Sequence, residues 1–380
     1  MSNRTSVEIF PPGEFIREEL EERGWTQGDL ADILGRPLNR INEIISGKRS
    51  VTPETAKGLA DAFGTSPELW LNLENAFQLS RIKKSDESVT RRAKLYEKAP
   101  VKEMIRRGWI ESSTNIEVLE SRVMDFLEIK TLDQEIRFWA FAARTSLAYK
   151  KPTPSQLAWL YRARHLSKAV TANKFNEANF KLAIFKLQQL LHAPQEIRLV
   201  PQILAECGIR FLTVEAIPKT RIDGACFWLN PHSPVIVLSL RYDRIDSFWH
   251  TLFHELGHIK NRDGLNNSYE TLDTDLIGKD AAALADKPPA EKAADKFAVG
   301  NLIPQDKLEN FITRVSPLYS KINITRFANN NNIHPGIAVG QLQHRKEILW
   351  SQNRPLLVKI KEIITSAALT DGWGTVPSGL

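Results

Sequence analysis

Residues 248–260 read FWHTLFHELGHIK, and this stretch governs how the second half of the chain is interpreted. Its apolar residues recur at helical spacing, which predicts a long buried helix that begins near residues 243–246. His254 and His258 are four residues apart, so one face of the helix carries both imidazoles and can hold one metal ion. Glu255, between them, is placed to act as a general base beside that ion. The stretch therefore predicts a metal centre on a buried helix.

A third ligand has to come from elsewhere, because catalytic zinc usually takes three protein ligands and keeps one position for water. The run EKAADKFA opens a helix after two prolines and places Glu291 33 residues beyond His258. Glu291 is therefore a candidate ligand, and the alternative is a surface glutamate that only stabilises the helix dipole. Asp295, one helical turn later, is a competing carboxylate that we expect to orient a ligand imidazole.

Three short apolar runs precede the long helix: IRFLTVE at 209–215, GACFWL at 224–229 and PVIVLSL at 234–240. Turn residues separate them, as is typical of strands, so the sequence predicts a small β-sheet. An extended peptide can pair with an exposed strand, and residues 234–240 are the predicted substrate edge. Packing as a buried strand is the competing use of the same apolar residues.

Residues 195–346 resemble the ImmA/IrrE metallopeptidases through these strands, the HELGH pentamer and the downstream runs FAVGNLIP and IHPGIAVGQLQHR. The family's third ligand is the glutamate six residues before a phenylalanine on its downstream helix, and Glu291 and Phe297 keep that spacing. The resemblance implies a zincin-like fold, zinc held by Glu291 and the two motif histidines, and cleavage of a DNA-binding repressor. The segment between the motif and Glu291 is long and acidic for this family, so we expect residues 261–290 to cover or gate the cleft.

Peptide hydrolysis needs a donor to the oxyanion in addition to zinc. His334, Tyr242 and Tyr319 are candidates that the sequence does not rank, and each has a structural role as its alternative. His250 lies four residues before His254, where it could flank the metal. We expect it to be a packed core histidine.

The N-terminal part of the chain has a different pattern, that of five short helices over residues 13–79. Helix starts are indicated at Thr26, at Thr52 before a proline and at Ser66 before a proline. A helix-turn-helix needs a small residue in its first helix, a glycine in the turn and apolar residues that face inward. The sequence supplies Ala31, Gly35 and the inward set Leu30, Leu34, Ile41 and Ile44.

The outer side of the second helix in this motif is predicted to read DNA. Arginine can bond guanine and asparagine can bond adenine in the major groove. The base-reading candidates are Arg36, Asn39, Arg40 and Asn42. Gln27, Lys48 and Arg49 are better placed for phosphates. The alternative is that these polar side chains are only the solvated face of a helical bundle.

Residues 11–74 resemble the XRE/HigA-like antitoxin family nearly without gaps, through PPGEFIREELEERGWTQGDLADILG and RINEIISGKRSVTPETAKGLADAFGTSPELWLNLE. The resemblance implies a homodimer that binds an operator in double-stranded DNA, and it allows a toxin as a further partner. The first helix is acidic, so the DNA-binding surface is expected to be local to residues 36–49.

Charge is distributed unevenly along the 380 residues, whose formal net charge is +6. Residues 1–80 contain eight Lys/Arg and thirteen Asp/Glu, a net of −5, whereas residues 81–107 contain ten and four, a net of +6. A solvated helix face would explain this basic stretch. The functional alternative is that it adds salt-sensitive affinity for DNA phosphates through Arg81, Lys83, Lys84, Arg91 and Arg92.

The cellular compartment is constrained by what the sequence lacks. No run reaches the roughly 18 apolar residues that a membrane span requires, and the N-terminus has no apolar signal core. Cys207 and Cys226 stand in apolar surroundings, and two such cysteines do not make a disulfide or zinc framework. We expect a cytoplasmic protein with structural cysteines and no membrane partner.

Together these patterns predict an α+β, mostly helical protein. Its expected parts are a five-helix helix-turn-helix domain at 1–80, a helical connector region at 81–195, a zincin-like metallopeptidase domain with a small β-sheet at 196–365 and a flexible tail at 366–380. The leading functional hypothesis is a DNA-binding, zinc-dependent endopeptidase that cleaves a transcriptional repressor or itself. The alternative is an antitoxin-like repressor whose zinc-bound domain is a sensor or scaffold. Nuclease activity has weak support, because no acidic cluster suits two-metal catalysis.

Overall fold

The computed structural model describes residues 9–81, 88–136, 152–265, 271–274 and 288–371. Contacts divide the chain into two compact units, Met1–Thr90 and Arg91–Leu380. Lys83, Lys84 and most of the acidic segment 261–290 lie outside the described residues. None of the described helices is long and apolar enough to cross a membrane.

The N-terminal unit has the five helices that the sequence predicts. The Thr26 hydroxyl accepts from the backbone N–H of Asp29 while the Asp29 carboxylate accepts from that of Thr26, which is a complete capping box. The Thr52 hydroxyl accepts from the backbone N–H of Thr55 and caps the helix that begins at Pro53. The helices are α1 Pro12–Arg23, α2 Gln27–Ile33, α3 Leu38–Ile45, α4 Pro53–Phe63 and α5 Pro67–Arg81.

One apolar core holds this unit together and fixes the position of α3. Leu30, Ile41 and Ile44 are almost fully buried in it, as the inward pattern predicts. A Cβ added to Gly13 on α1 would lie 2.0 Å from the carbonyl oxygen of Ile45 at the end of α3. Only glycine permits so close an approach, and α1 therefore packs directly against the C-terminal end of α3.

The second unit is also mainly helical, and along the chain helices both precede and follow its first three strands. Before the first strand come α6 Ser88–Lys98, α7 Val101–Arg106, α8 Ile116–Phe126, α9 Pro154–Ser167, α10 Glu177–Gln189, a 3-10 helix at Pro194–Leu199 and α11 Val200–Cys207. After the third strand come α12 Ile245–Asn261, α13 Pro289–Leu302, α14 Gln305–Val315, α15 Lys321–Asn330, α16 Pro335–His344, a 3-10 helix at Arg354–Leu356 and α17 Lys361–Thr365.

Among the described residues, five strands form one mixed sheet in the order β4-β2-β3-β1-β5. Strand β3 runs parallel to β1 and antiparallel to β2, while β4 pairs antiparallel with β2 and β5 pairs parallel with β1. The strands are β1 Arg210–Thr213, β2 Ile222–Trp228, β3 Pro234–Leu238, β4 Thr271–Thr274 and β5 Leu369–Thr370.

Both faces of the sheet are covered, which explains why its strands read as nearly continuous apolar runs. On β3, Ile236 and Leu238 face the core that contains α12, while Val235 and Val237 face the core that contains α7, α8 and α9. The helices of the predicted connector region thus share a core with the sheet. Cys226 lies buried on the α12 face.

Two local expectations are corrected by the sheet, and one of its strands was not predicted. Residues 234–240 do not offer a substrate edge, because β3 is hydrogen-bonded on both sides. The acidic segment 261–290 contributes β4, an edge strand whose polar residues hid it from the apolar pattern. Leu369–Thr370, within the predicted flexible tail 366–380, form β5 by pairing with β1, and residues 372–380 lie outside the described part of the chain.

Candidate metal centre and nucleic-acid interface

The two motif histidines and Glu255 are fully buried on α12, which packs along α13. Gly257 sets the distance between these helices, because a Cβ there would lie 2.9 Å from the Cα of Ala294. Ala294 stands between Glu291 and Asp295, so the close approach brings both carboxylates onto α12. The sequence motif therefore provides two candidate ligands and the small residue that lets Glu291 approach them.

His254, His258 and Glu291 converge on one point. The two Nε2 atoms are 3.0 Å apart, and Glu291 Oε2 is 3.1 Å from His254 Nε2. Glu291 Oε1 is 3.6 Å from His258 Nε2. The ligand atoms of the three residues lie within 4.8 Å of one another. Two imidazole nitrogens and a carboxylate oxygen are a donor set that zinc accepts.

The carboxyl group of Glu291 is suited to ligation. Burial favours its neutral form, but hydrogen bonds from His254 and His258 outweigh burial and hold the pKa of Glu291 well below its usual range. The group is therefore an anion at neutral pH. Glu291 is only 4% exposed, so it is not the surface glutamate that the sequence allowed as an alternative.

Each histidine has another carboxylate close to its Nδ1 atom. Asp295 Oδ1 lies 2.9 Å from His254 Nδ1, and Asp263 Oδ2 lies 2.9 Å from His258 Nδ1. With a metal bound, a carboxylate at Nδ1 would favour the tautomer with its proton there, so that the Nε2 lone pair ligates the metal in place of the hydrogen bond to Glu291. The same arrangement orients the histidine ligands of zinc sites, so the residues present fit zinc. Asp295 takes the place that the sequence predicts.

Asp263 was not identified from the sequence, because it follows the end of α12 in no recognised motif. Arg262 ends the helix in a left-handed conformation, with φ 57°, and this turn folds the next residue back. The Asp263 N–H donates to the His258 carbonyl at 3.0 Å. Trp228 Nε1 donates to the Asp263 carbonyl at 2.9 Å. Strand β2 and the helix end together position this carboxylate.

The Glu255 carboxylate lies against β2. A Cβ added to Gly224 on β2 would lie 2.5 Å from Glu255 Oε1. The glycine therefore makes room for the carboxylate between the helix and the sheet. The base candidate Glu255 follows His254 on α12 and, like both histidines, is fully buried.

The three oxyanion candidates have different surroundings. The His334 ring accepts from the Gly336 N–H at 3.0 Å and caps α16, and the Tyr319 hydroxyl donates to Glu347 at 2.5 Å. Both have structural roles. Tyr242 lines a small cavity of about 20 Å³ together with Thr251, one turn before Glu255.

His250 flanks the centre without belonging to its ligand set. Its ring centroid is 6.3 Å from that of His254 and 6.1 Å from that of His344. The side chain is half-buried and lines a cavity beside α13, so it is less enclosed than the core histidine that the sequence predicts.

On the N-terminal unit, the DNA-contact candidates lie on and around α3. Asn39, Arg40 and Asn42 are on this helix, with both asparagines exposed and Arg40 half-buried. Arg36 is not on the helix as predicted, because Pro37 is the N-cap and α3 begins at Leu38. It lies in the turn and forms an ion pair with Glu54.

The phosphate-contact candidates Gln27, Lys48 and Arg49 are all exposed. Arg49 also pairs with Glu43 at 2.7 Å. In the basic stretch, Arg91 pairs with Glu120 at 2.5 Å, and Arg92 donates to the Thr114 carbonyl at 2.6 Å.

These contacts give parts of the basic stretch structural roles within the second unit. Arg81 stacks over Phe77, 5.5 Å from the ring centroid.

Known proteins match the N-terminal unit. The helix-turn-helix family model HTH_3 matches residues 16–70. The HTH-type transcriptional regulator YddM of Escherichia coli is 35% identical over 74 residues, which are 20% of this chain and 79% of that protein. Antitoxin HigA-1 of Vibrio cholerae is 38% identical over 68 residues, 18% of this chain and 64% of that protein. The chain belongs to the helix-turn-helix family.

A solved structure, an addiction module antidote protein of the HigA family from Coxiella burnetii, is 42% identical and covers 19% of this chain and 80% of that chain, with a TM-score of 0.19. Each of these matches covers about a fifth of this helix-turn-helix protein. The family model and the two sequence relatives identify the N-terminal unit as an XRE-family, DNA-binding domain of the kind found in transcriptional regulators and HigA-like antitoxins.

Proposed function

We propose that this helix-turn-helix protein is a DNA-bound regulator whose second unit is a zinc-dependent endopeptidase of the ImmA/IrrE type. One observation carries the proposal. His254, His258 and Glu291 converge within 4.8 Å of one another, both histidines have a carboxylate close to the second ring nitrogen, and Glu255, the next residue after His254, is fully buried. A structural zinc site is usually closed by four ligands, whereas three ligands and an adjacent base suit hydrolysis.

The residues of this chain divide the chemistry among them. His254, His258 and Glu291 would hold zinc, which when bound supplies the Lewis acidity that polarises water and the peptide carbonyl. Glu255 accepts the proton of the attacking water and later donates it to the leaving amine. Asp295 and Asp263 keep the imidazoles oriented through both steps.

The substrate class follows from the domain that accompanies the site. A helix-turn-helix domain in the same chain concentrates the second unit at an operator, where other DNA-binding regulators are the nearest proteins. We propose that the substrate is such a regulator bound to double-stranded DNA, or another copy of this chain. A homodimer on a palindromic operator would place two copies side by side.

The decisive experiment is Glu255→Gln in the full-length protein. Glutamine has nearly the same shape but cannot take the proton, so zinc content and DNA binding should persist while hydrolysis falls by about 100-fold to 10,000-fold. Fragments are measured by mass spectrometry after incubation with zinc, DNA and candidate repressors. Glu111→Gln, an exposed carboxylate in a salt bridge with Arg122, is the matched control and should cleave like the wild type. Equal cleavage by the Glu255 variant would refute the role of this residue.

A second candidate function is favoured by the named relatives. Antitoxin HigA-1 and the HigA-family antidote protein resemble the N-terminal unit, so the chain could be an antitoxin-like repressor that binds a toxin and uses its zinc-bound unit as a sensor or scaffold. In that case a chelator would change operator affinity in the wild type and in Glu255→Gln alike, and neither protein would produce fragments. Pull-down of a toxin from cells would support it directly.

A further inference from the structure

A cavity of about 450 Å³ lies beside the metal centre, between α12, α13 and α16. Its walls are largely apolar, with Val299, Leu302 and Ile337 among the lining residues and Trp350 at one side. This volume is within the range of pockets that bind small molecules, and an apolar wall with a few polar groups is their usual composition.

The polar groups of the cavity favour an anion. Lys292 and Lys296 contribute two cationic side chains to the lining, and a third, Arg345, also pairs with Glu309 at 2.5 Å. Two carboxylates also line it, and each lies close to a basic group of the protein. Asp246 receives a two-pronged contact from Arg244, at 3.0 and 2.7 Å, and Asp295 Oδ1 lies 2.9 Å from His254 Nδ1.

Two histidines add further donors to the same space. His250 on α12 and His344 at the end of α16 both line the cavity, with ring centroids 6.1 Å apart. An organic acid seated against the apolar wall could reach an imidazole N–H as well as a lysine ammonium. Charge-assisted hydrogen bonds of this kind are the strong ones.

The cavity is distinct from the side on which a peptide would be cleaved. None of the lining residues that the structure describes is Glu255 or a metal-ligand candidate. Asp295 lines the cavity and contacts Nδ1 of His254, whereas the ligands converge at Nε2, on the other side of the ring. Glu255, for its part, faces β2. The cavity therefore lies behind His254.

We propose that this cavity is an effector site for a small organic carboxylate with an aromatic or aliphatic body, and that Asp295 couples its occupancy to the metal centre. The coupling rests on the proposed zinc site, whereas the binding of the carboxylate does not. Asp295 lines the cavity and lies 2.9 Å from Nδ1 of His254, so an effector that packs against Asp295 would fix this carboxylate behind the imidazole and should strengthen binding of zinc at Nε2. By linkage, zinc then strengthens binding of the effector by the same factor.

The binding test uses a matched pair of probes, 2-naphthoate and its neutral isostere 2-naphthamide, titrated calorimetrically into metal-free, full-length protein. We expect one 2-naphthoate per chain and binding of the amide at least about fivefold weaker, because the cationic lining recognises the charge. Failure of the acid to bind at millimolar concentration, or equal affinity for acid and amide, would overturn the proposal.

Two variants and one control locate the binding. Val299→Trp fills the cavity and should remove 2-naphthoate binding, while Lys296→Met keeps the aliphatic stem and should weaken it about threefold to tenfold. Lys260→Met is the matched control, because Lys260 lines a different cavity, next to Phe297. Unchanged affinity in Val299→Trp would place the probe elsewhere and overturn the assignment.

The coupling test measures zinc affinity with and without saturating 2-naphthoate. We expect zinc to bind about threefold to fivefold more tightly with the probe, and Asp295→Asn to abolish this difference while still binding the probe. Zinc binding that does not respond to the probe in the wild type would refute the coupling. If the wild type binds 2-naphthoate but no zinc at all, the proposed function fails and the carboxylate site stands.

Discussion

The candidate functional side chains of the two units lie in opposite environments, exposed in the first unit and buried in the second. On the helix-turn-helix unit, Asn39, Asn42 and Lys48 are exposed, and each would meet DNA independently of the others. In the second unit, His254 and His258 are fully buried and depend on one another. A surface that binds a polyanion needs only exposed donors, whereas a buried cluster of polar groups must satisfy every member.

This difference determines how each unit should respond to substitution. Removing one exposed contact leaves the other contacts of α3 in place, so the loss should be small and additive. Removing one buried ligand leaves the remaining polar groups without their common partner, so the loss should be large and shared. The contrast is therefore testable by single substitutions, one unit at a time.

The largest effect is expected for His254→Ala. Loss of this ligand leaves His258 and Glu291, which are too few for a zinc site, so stoichiometric zinc should no longer be retained after gel filtration. The zinc affinity should fall by more than about 100-fold, the upper range for losing only an orienting partner. Elemental analysis measures the metal. The exposed His192→Ala is the matched control, and full zinc in both variants would rule out the ligand assignment.

A smaller effect is expected for Asp263→Asn, which removes the charge behind His258 and keeps the shape of the side chain. Orienting partners of this kind are worth about 10-fold to 100-fold in metal affinity. Competition with a chromophoric chelator gives the affinity. Asp306→Asn, at an exposed position near the start of α14, should leave it unchanged. An affinity equal to that of the wild type in Asp263→Asn would show that this carboxylate does not support the ligand.

Much of the architecture was predictable because local rules and tertiary packing agree. The starts at Thr26 and Thr52, the three apolar strands and the long helix are all present where their patterns indicate. The cluster of His254, His258 and Glu291 was predicted by motif spacing and family resemblance, and the structure brings these side chains together. Their metal content and their chemistry remain predictions.

The features that the sequence did not reveal depend on contacts between distant segments. Strands β4 and β5 carry too few apolar residues for a periodic signal, and only pairing with β2 and β1 defines them. The central place of β3 is a matter of topology. Asp263 reaches His258 through a helix end whose turn at Arg262 has no strong sequence signature, since glycine is the usual residue there. The effector cavity arises where three helices meet.

A packing effect is expected for Gly257→Ala, because the added methyl meets the backbone of α13 rather than a flexible side chain. Overpacking of this kind typically costs about 1 to 3 kcal/mol of unfolding free energy, and it should also displace Glu291 and weaken zinc binding. Chemical denaturation measures the first effect. Gly300→Ala on α13 is the control, since a Cβ there has nothing within 4 Å. This variant should be as stable as the wild type or more stable.

On the other unit, Arg40→Ala should change the preference for one base pair. A well-placed arginine contact to guanine is worth about 1 to 3 kcal/mol of discrimination. A preferred duplex is first selected from a random pool with the full-length protein, and variants are then titrated against every single-base change. Specificity relaxed at one position is the expected result. An unchanged preference at every position would remove Arg40 from the base-reading set.

The smallest effect is expected for Lys48→Ala, which tests whether exposed donors of the helix-turn-helix unit act independently. Lys48 follows α3 and is exposed, so its ammonium would contact a phosphate and carry no sequence information. The variant should bind all duplexes more weakly by a similar factor, and the slope of log affinity against log salt should decrease by about one. Lys57→Ala, on α4, is the control and should keep the wild-type slope. A loss confined to one duplex sequence would instead assign Lys48 to base recognition and would break the contrast between additive surface contacts and the interdependent buried cluster.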